Sequence, residues 1–470
     1  MSPAPQPAPF RPEAAILTLG DGFYDRVAPA DFLETRLRFR NDRAAAEIGL
    51  ENLADAEWIE RFGRFHAFEG SLPQPLALRY HGHQFRAYNP DIGDGRGFLY
   101  AQVRANDGRL LDLGTKGSGQ TPWSRFGDGR LTLKGGVREV LATEMLEALG
   151  VETSRTLSLV ETGEALHRGD EPSPTRSAVL TRLSWGHIRI GSFQRLAYLE
   201  DAAGLEALTR YCLFNLYGEE PGEDPVLALF RRVVERTAEL AASYMAAGFV
   251  HGVLNSDNIA ITAESFDYGP WRFTPDWEPG FTAAYFDHQG LYAFGRQAQA
   301  IHWDVAQLAI ALSQIASIDD LAGVLDGFPA AYEAALTAAM LRRLGVRPRG
   351  EAEDLALVGH LERALARRTV TIDRAFFDWR GGKRRGPSPA DNAYSHPVFA
   401  PFLEAIAGYD AAASLDHPYW FDPKPCSMHI EEVEAIWTPI ADADDWTALE
   451  AKIAAVRRMA DALAGRPPRA

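Results

Sequence analysis

Residues 251–270, "HGVLNSDNIAITAESFDYGP", place Asp257 beside Asn258 and follow them with Asp267. A carboxylate and an amide oxygen at such spacing can hold a hard divalent cation that shares its remaining positions with phosphate oxygens and water. Upstream, "LDLGTKGSGQTPWSRFGDGR" (111–130) sets Lys116 in a glycine-rich run after an apolar strand start. "PDIGDGRGFLY" (90–100) puts Gly93, Gly95 and Gly97 around Arg96, so the backbone can approach an anion while the guanidinium supplies paired donors. A hairpin turn accounts for the same alternation of Gly and Asp. The chemistry these residue types offer together is transfer of a phosphate-bearing group.

The spacing follows a known pattern with one part missing. A protein-kinase loop reads H-R-D-x-x-x-x-N and is followed by D-F-G, which makes Asn258 and Asp267 metal ligands. Where the kinase base would stand, two residues after His251, the chain has Val253, which cannot accept a proton. Lys116 does not belong to a Walker A loop, since that motif sets its Lys directly before a helix. A kinase instead braces a strand Lys with a Glu on the helix that follows. Here that Glu is Glu139.

The elements that must position these groups are legible in part. "GGVREVLATEMLEALG" (135–150) carries Val137, Leu141, Met145 and Leu149 on one stripe, with Glu139 and Thr143 off it, and ends at a glycine suited to a C-cap. Residues 13–70 mix helical patterns with turns. Residues 80–200 are Gly-rich with β-prone runs at 155–161 and 177–185, and long helical patterns follow at 225–248, 300–315, 328–344 and 446–465. Pro3, Pro5, Pro7, Pro9 and Pro12 make residues 1–12 an expected disordered tail. The expected class is α+β: a sheet-bearing N-terminal lobe with its extension over 13–200, then a helical C-terminal lobe over 201–470 that carries the metal-binding loop, the organisation of a protein kinase.

Composition bounds the partners. With 470 residues, 46% hydrophobic and 11% aromatic, the chain can bury a large core. Its formal charge of -16 argues against an extended nucleic-acid surface, although arginine clusters can still hold a compact phosphate-bearing molecule. No apolar run has the length of a membrane span, no apolar signal core opens the chain, and cysteines are confined to Cys212 and Cys426. A cytoplasmic protein is expected, with no membrane or nucleic-acid partner.

The runs "YHGHQF", "GDGRG", "TKGSGQTPWSRFGDGR", "REVLATEMLEALG", "HGVLNSDN", "DYGP", "EPGF" and "DHQGLYAF", in this order over roughly 60–310, resemble the selenoprotein O family of kinase-like protein adenylyltransferases. The resemblance implies a kinase fold that binds ATP in reverse and transfers AMP to Ser, Thr or Tyr hydroxyls of protein substrates. It implies Asp257 as the base, shifted along the loop from position 253. It further implies Gly93, Gly95 and Arg96 as a first phosphate-contacting turn, Asp128 and Gly129 as a second, Lys116 with its partner Glu139, and Arg182 and Arg189 as phosphate holders. Asn258 and Asp267 would bind the metal, with Asp267 also beside the nucleotide. Oxygen donors suit Mg2+, with Mn2+ as the other candidate. An orthodox kinase with a displaced base and an ATP-binding pseudokinase scaffold are the competing readings; retention of Lys, Glu, base and both metal ligands argues against the second. The family's paired regulatory cysteines have no counterpart in "EPGFTAAYFDHQG" (278–290) or in "ADALAGRPPRA", and resemblance is poor beyond about 350. His81 and His83 fit a structural turn better than a metal site.

Overall fold

The computed structural model describes residues 9–169 and 171–466. In chain order its first strands are β1 (Pro12–Glu13), β2 (Tyr24–Arg26), β3 (Arg36–Arg40), β4 (Leu76–Leu78), β5 (Gly82–Gln84), β6 (Ala87–Asn89), β7 (Leu99–Arg104), β8 (Leu110–Lys116), β9 (Leu131–Thr132), β10 (Arg155–Leu166) and β11 (Thr175–Ser184). Nine of them make one antiparallel sheet with the path β2-β4-β7-β8-β11-β10-β3, to which β1 adds beside β7 and β9 beside β11. β5 and β6 form a separate hairpin. The turn between β7 and β8 is set by Gly108 at φ 91 and by the Asp107 side chain, which accepts from the Arg109 N–H at 3.0 Å.

Two helices, α1 (Asp42–Ala46) and α2 (Asp55–Phe62), belong to the N-terminal part, and α3 (Leu133–Ala148) lies between β9 and β10. Then come α4 (Ile190–Tyr198), α5 (Ala202–Tyr211), α6 (Pro225–Ala247) and α7 (Gln297–Leu312), followed by helices that include Phe328–Leu344 and Thr447–Leu463. α6 shows why such segments form: Asp224 caps the Leu227 N–H, Pro225 opens the first turn, and Gly248 closes it in the left-handed region at φ 69. The α+β class expected from the sequence is the one observed.

Both faces of the sheet are covered. On one side Trp58, Phe62, Phe65 and Phe68 pack on Tyr100, Leu111 and Leu113. On the other, α3 packs on β10 and β11, and its apolar residues join those of α4 to α7 in one core. The single-stripe reading of α3 needs correction here. Val137, Leu141 and Met145 are buried as expected, but so are Glu139, which faces Lys116, Thr143, whose hydroxyl lies 3.1 Å from that of Thr156 on β10, and Glu144, on the side where the helix at Thr447–Leu463 packs. Glu144 is satisfied there by Arg457.

The tail also ends earlier than its prolines suggest. Residues 1–8 lie outside the described residues. Phe10, however, packs on Phe68 with ring centroids 4.8 Å apart, and Pro12 pairs with Val103 in the sheet. Proline lacks an N–H, and a short edge strand is where a sheet tolerates that.

Candidate functional site

Lys116 ends β8 with its side chain buried between two carboxylates. Its Nζ lies 2.7 Å from Glu139 Oε2 and 2.8 Å from Asp267 Oδ1. Glu139 is only 1% exposed and also faces Arg182, whose Nη1 is 3.5 Å from its second oxygen. The expected strand Lys, helix Glu and loop Asp therefore meet in space. Burial works against the charge on Asp267, but Lys116, then Arg182 and Arg96, outweigh it and hold the carboxyl well below its ordinary range. Asp267 adopts φ 61, a left-handed conformation that aims it at Lys116, and 29% of its side chain stays accessible.

The loop before it is a short 3-10 turn, Ser256–Asn258. Where the kinase base would sit, Val253 contributes its backbone carbonyl instead, accepting from Asn258 Nδ2 at 3.0 Å. That bond leaves the amide oxygen of Asn258 as the group available to a cation. Asp257 is buried, and its Oδ1 has no hydrogen-bond partner among the described residues. Burial pushes its pKa up to about 6, against the pull of Arg189 and with a further push from Asp267. Gly82 makes room for it, since a Cβ there would stand 2.7 Å from Asp257 Oδ1. His83 donates its backbone N–H to Ser256 Oγ and so ties the hairpin to this loop, while His81 Nδ1 pairs with the Tyr88 hydroxyl at 2.8 Å within the hairpin region itself.

Arg189, 5% exposed, crosses the site: Nη1 donates to the Asp257 carbonyl at 3.1 Å, and Nη2 lies 3.3 Å from Asp94. Its guanidinium lies over the rings of Tyr80 and Phe266, at 4.2 and 4.9 Å from their centroids. Gly93 and Gly95 serve packing as much as ligand approach, for a Cβ on Gly93 would fall 2.6 Å from the Trp123 ring and one on Gly95 3.0 Å from the Trp123 carbonyl. Gly129, at φ 70, lies against the Gly119 backbone. Asp128 is exposed and forked to Arg168 at 2.8 and 3.1 Å.

Between these groups lies a cavity of about 610 Å³ lined by Gly93, Gly95, Arg96, Lys116, Asp128, Gly129, Arg182, Arg189, Asp257 and Asp267. Sequence reasoning missed Tyr80, Asp94, Trp123, Arg168 and His187, which line it as well. Tyr80, Asp94 and Trp123 lie inside the runs quoted above and His187 lies between Arg182 and Arg189, so a signal for them is their place beside the residues singled out. Glu139 braces Lys116, and neither it nor Asn258 is in the lining. The walls carry seven cationic side chains against four carboxylates, in a chain whose overall charge is -16. Buried nitrogens of Arg182 and Arg189 have no hydrogen-bond partner among the described residues, which suits a wall built to receive an anion. Among the described residues there is no group of three or more His, Cys, Asp and Glu able to hold a metal. A cation here would rest on Asn258, Asp267 and oxygens of a bound phosphate, a donor set that fits Mg2+.

Comparison with known proteins agrees with this geometry. The family profile described as "Protein adenylyltransferase SelO" matches residues 9–392. A "Protein nucleotidyltransferase YdiU" of Gloeobacter violaceus is 47% identical over 451 residues, covering 92% of each chain. The protein of the same name in Trichodesmium erythraeum is 48% identical over 461 residues, covering 92% of this chain and 95% of that one. Its namesake in Synechocystis sp. is 51% identical over 340 residues, 71% of this chain and 70% of the other. The chain belongs to the protein adenylyltransferase SelO family, an enzyme family of nucleotidyl transfer.

Proposed function

We propose that this protein transfers AMP from ATP to a Ser, Thr or Tyr hydroxyl of a protein substrate and releases pyrophosphate, on a kinase-like scaffold of two lobes. The carrying observation is a cavity whose buried end is cationic, through Lys116, Arg182 and Arg189, and borders the carboxylate of Asp257, one oxygen of which has no hydrogen-bond partner among the described residues. A triphosphate drawn into that end leaves the nucleoside toward the exposed residues Arg125 to Asp128, and puts pyrophosphate among the groups best able to stabilise it as it departs.

In the step itself the substrate hydroxyl oxygen bonds to the α-phosphorus, the bond from that phosphorus to the bridging oxygen breaks, and the electron pair leaves with pyrophosphate. The Asp257 carboxylate accepts the hydroxyl proton; a pKa of about 6 keeps the group mostly ionised at neutral pH yet basic enough to take it. Lys116 is held by Glu139 and Arg189 by Asp94, so both cations meet the nucleotide already oriented. Mg2+ on Asn258 and Asp267, with Mn2+ as an alternative, would neutralise phosphate charge. The orthodox-kinase reading shares Lys116, Glu139 and both metal ligands but gives no account of a cationic wall at the buried end.

Among the described residues no helix is long and apolar enough to cross a membrane. We place the protein in the cytoplasm, acting on ATP and other proteins. The test is mass spectrometry of the protein and candidate substrates after incubation with ATP and Mg2+. Adenylyl groups on Ser, Thr or Tyr are expected; phosphoryl groups in their place would favour the kinase reading.

A further inference from the structure

The strand that presents Lys116 presents two more residues on the same face. Asp112, Gly114 and Lys116 alternate along β8, and Gly114 pairs across the sheet with Arg182. At Gly114 there is no side chain, and a Cβ would collide with the imidazole of His187. The ring therefore occupies the gap between Lys116 and Asp112, next to Arg182. It is fixed there from one side only. Asp112 Oδ2 accepts the His187 backbone N–H at 2.8 Å and lies 3.3 Å from Nδ1, while Asp112 Oδ1 accepts from Gln102 Nε2 at 2.7 Å. Gln102 in turn lies 3.2 Å from the Tyr211 hydroxyl.

His187 is 8% exposed, it lines the cavity, and its Nε2 has no hydrogen-bond partner among the described residues. A buried ring nitrogen left bare is costly unless something else occupies it. A carboxylate on Nδ1 is the arrangement by which proteins fix an imidazole so that Nε2 meets a ligand. Lys116 and Arg182 flank Gly114 on the same face of the sheet, one along β8 and one across from it, which makes an anion the ligand that fits.

We propose that His187 is a further nucleotide-binding residue, doubly protonated when the nucleotide is bound, with Nδ1–H donated to Asp112 and Nε2–H to an oxygen of the two terminal phosphates. The assignment rests on the nucleotidyl-transfer reading of the cavity and deepens it: the pyrophosphate portion is gripped by a histidine as well as by Lys116 and Arg182.

The experiment is calorimetric titration of wild type, His187→Ala and His187→Gln with pyrophosphate, ATP and AMP, each with Mg2+, beside thermal melts. His187→Ala should weaken pyrophosphate and ATP by roughly 10- to 100-fold, the range of one hydrogen bond to a charged group, and leave AMP unchanged. His187→Gln, which can still offer an N–H, should recover part of the loss. If His187→Ala does not fold, Asp112→Asn is expected to show the same selective loss at smaller size. Unchanged pyrophosphate affinity in a folded variant, or an equal loss for AMP, overturns the assignment of His187 alone. A wild-type protein that binds neither pyrophosphate nor ATP would overturn the reading of the cavity on which it rests.

Discussion

Asp257 carries the heaviest chemical demand in this account. It sits four positions past Val253: Val253 lends a carbonyl to Asn258, and Asp257 lines the cavity with its Oδ1 unpaired among the described residues. Asp257→Asn should therefore leave ATP affinity nearly intact while slowing transfer by on the order of 10²- to 10⁴-fold, the range of a positioned general base. Titration of ATP with and without Mg2+, run beside the transfer assay, checks this. Recovery of most of the rate at high Mg2+ would instead make Asp257 a support for the metal. At this scale the sequence was informative where order along the chain suffices. Lys116, Glu139, Asn258 and Asp267 stand in the order a kinase-like site needs, and the first, second and fourth meet within hydrogen-bond distance. His187 was harder to see, because what marks it is a contact with Asp112 and a gap above Gly114, residues far from it along the chain.

Elements place these groups through backbone contacts that tolerate no side chain. Gly97 precedes β7, and a Cβ on it would collide with the carbonyl of Thr115, next to Lys116. The turn is tied to the same strand by the Gly117 N–H, which donates to the Arg96 carbonyl at 2.6 Å. Gly97→Ala should thus cost about 1–3 kcal/mol by overpacking and weaken ATP binding by shifting Lys116. As a control, Gly22→Ala, with nothing within 4 Å of the new Cβ, should change stability by less than about 0.5 kcal/mol. Equal stability of the two variants in thermal melts would show that the turn does not depend on that contact. Long helices were legible because their periodicity runs for many turns: those expected at 225–248 and 328–344 are observed at Pro225–Ala247 and Phe328–Leu344. Strand β3 was not, since Arg36, Arg38 and Arg40 make an edge strand read as a polar stretch. Arg38 is satisfied by Glu161 and Asp444, the second far along the chain. The burial of Glu144 on α3 was not legible for a related reason, since its partner Arg457 comes near the end of the chain.

Across the whole molecule, charge is distributed against its average. A surface that is negative overall disfavours nucleic acid, while a cationic pocket inside it still concentrates small phosphate-bearing anions. The last strand of the sheet ends at Ser184 and α4 begins at Ile190, packed on α7 and on the loop of Asp257. Residues 185–189 connect the two, and His187 and Arg189 of this segment line the cavity. The central claim is that the α-phosphorus is the atom attacked and pyrophosphate the group that leaves. It is tested most directly by incubating the protein with Mg2+ and ATP labelled separately at the α- and γ-phosphorus, with Asp267→Ala in parallel. The α-label should become protein-bound in wild type and be lost in Asp267→Ala, and the γ-label should appear only in released pyrophosphate. Protein-bound γ-label without α-label would contradict the account.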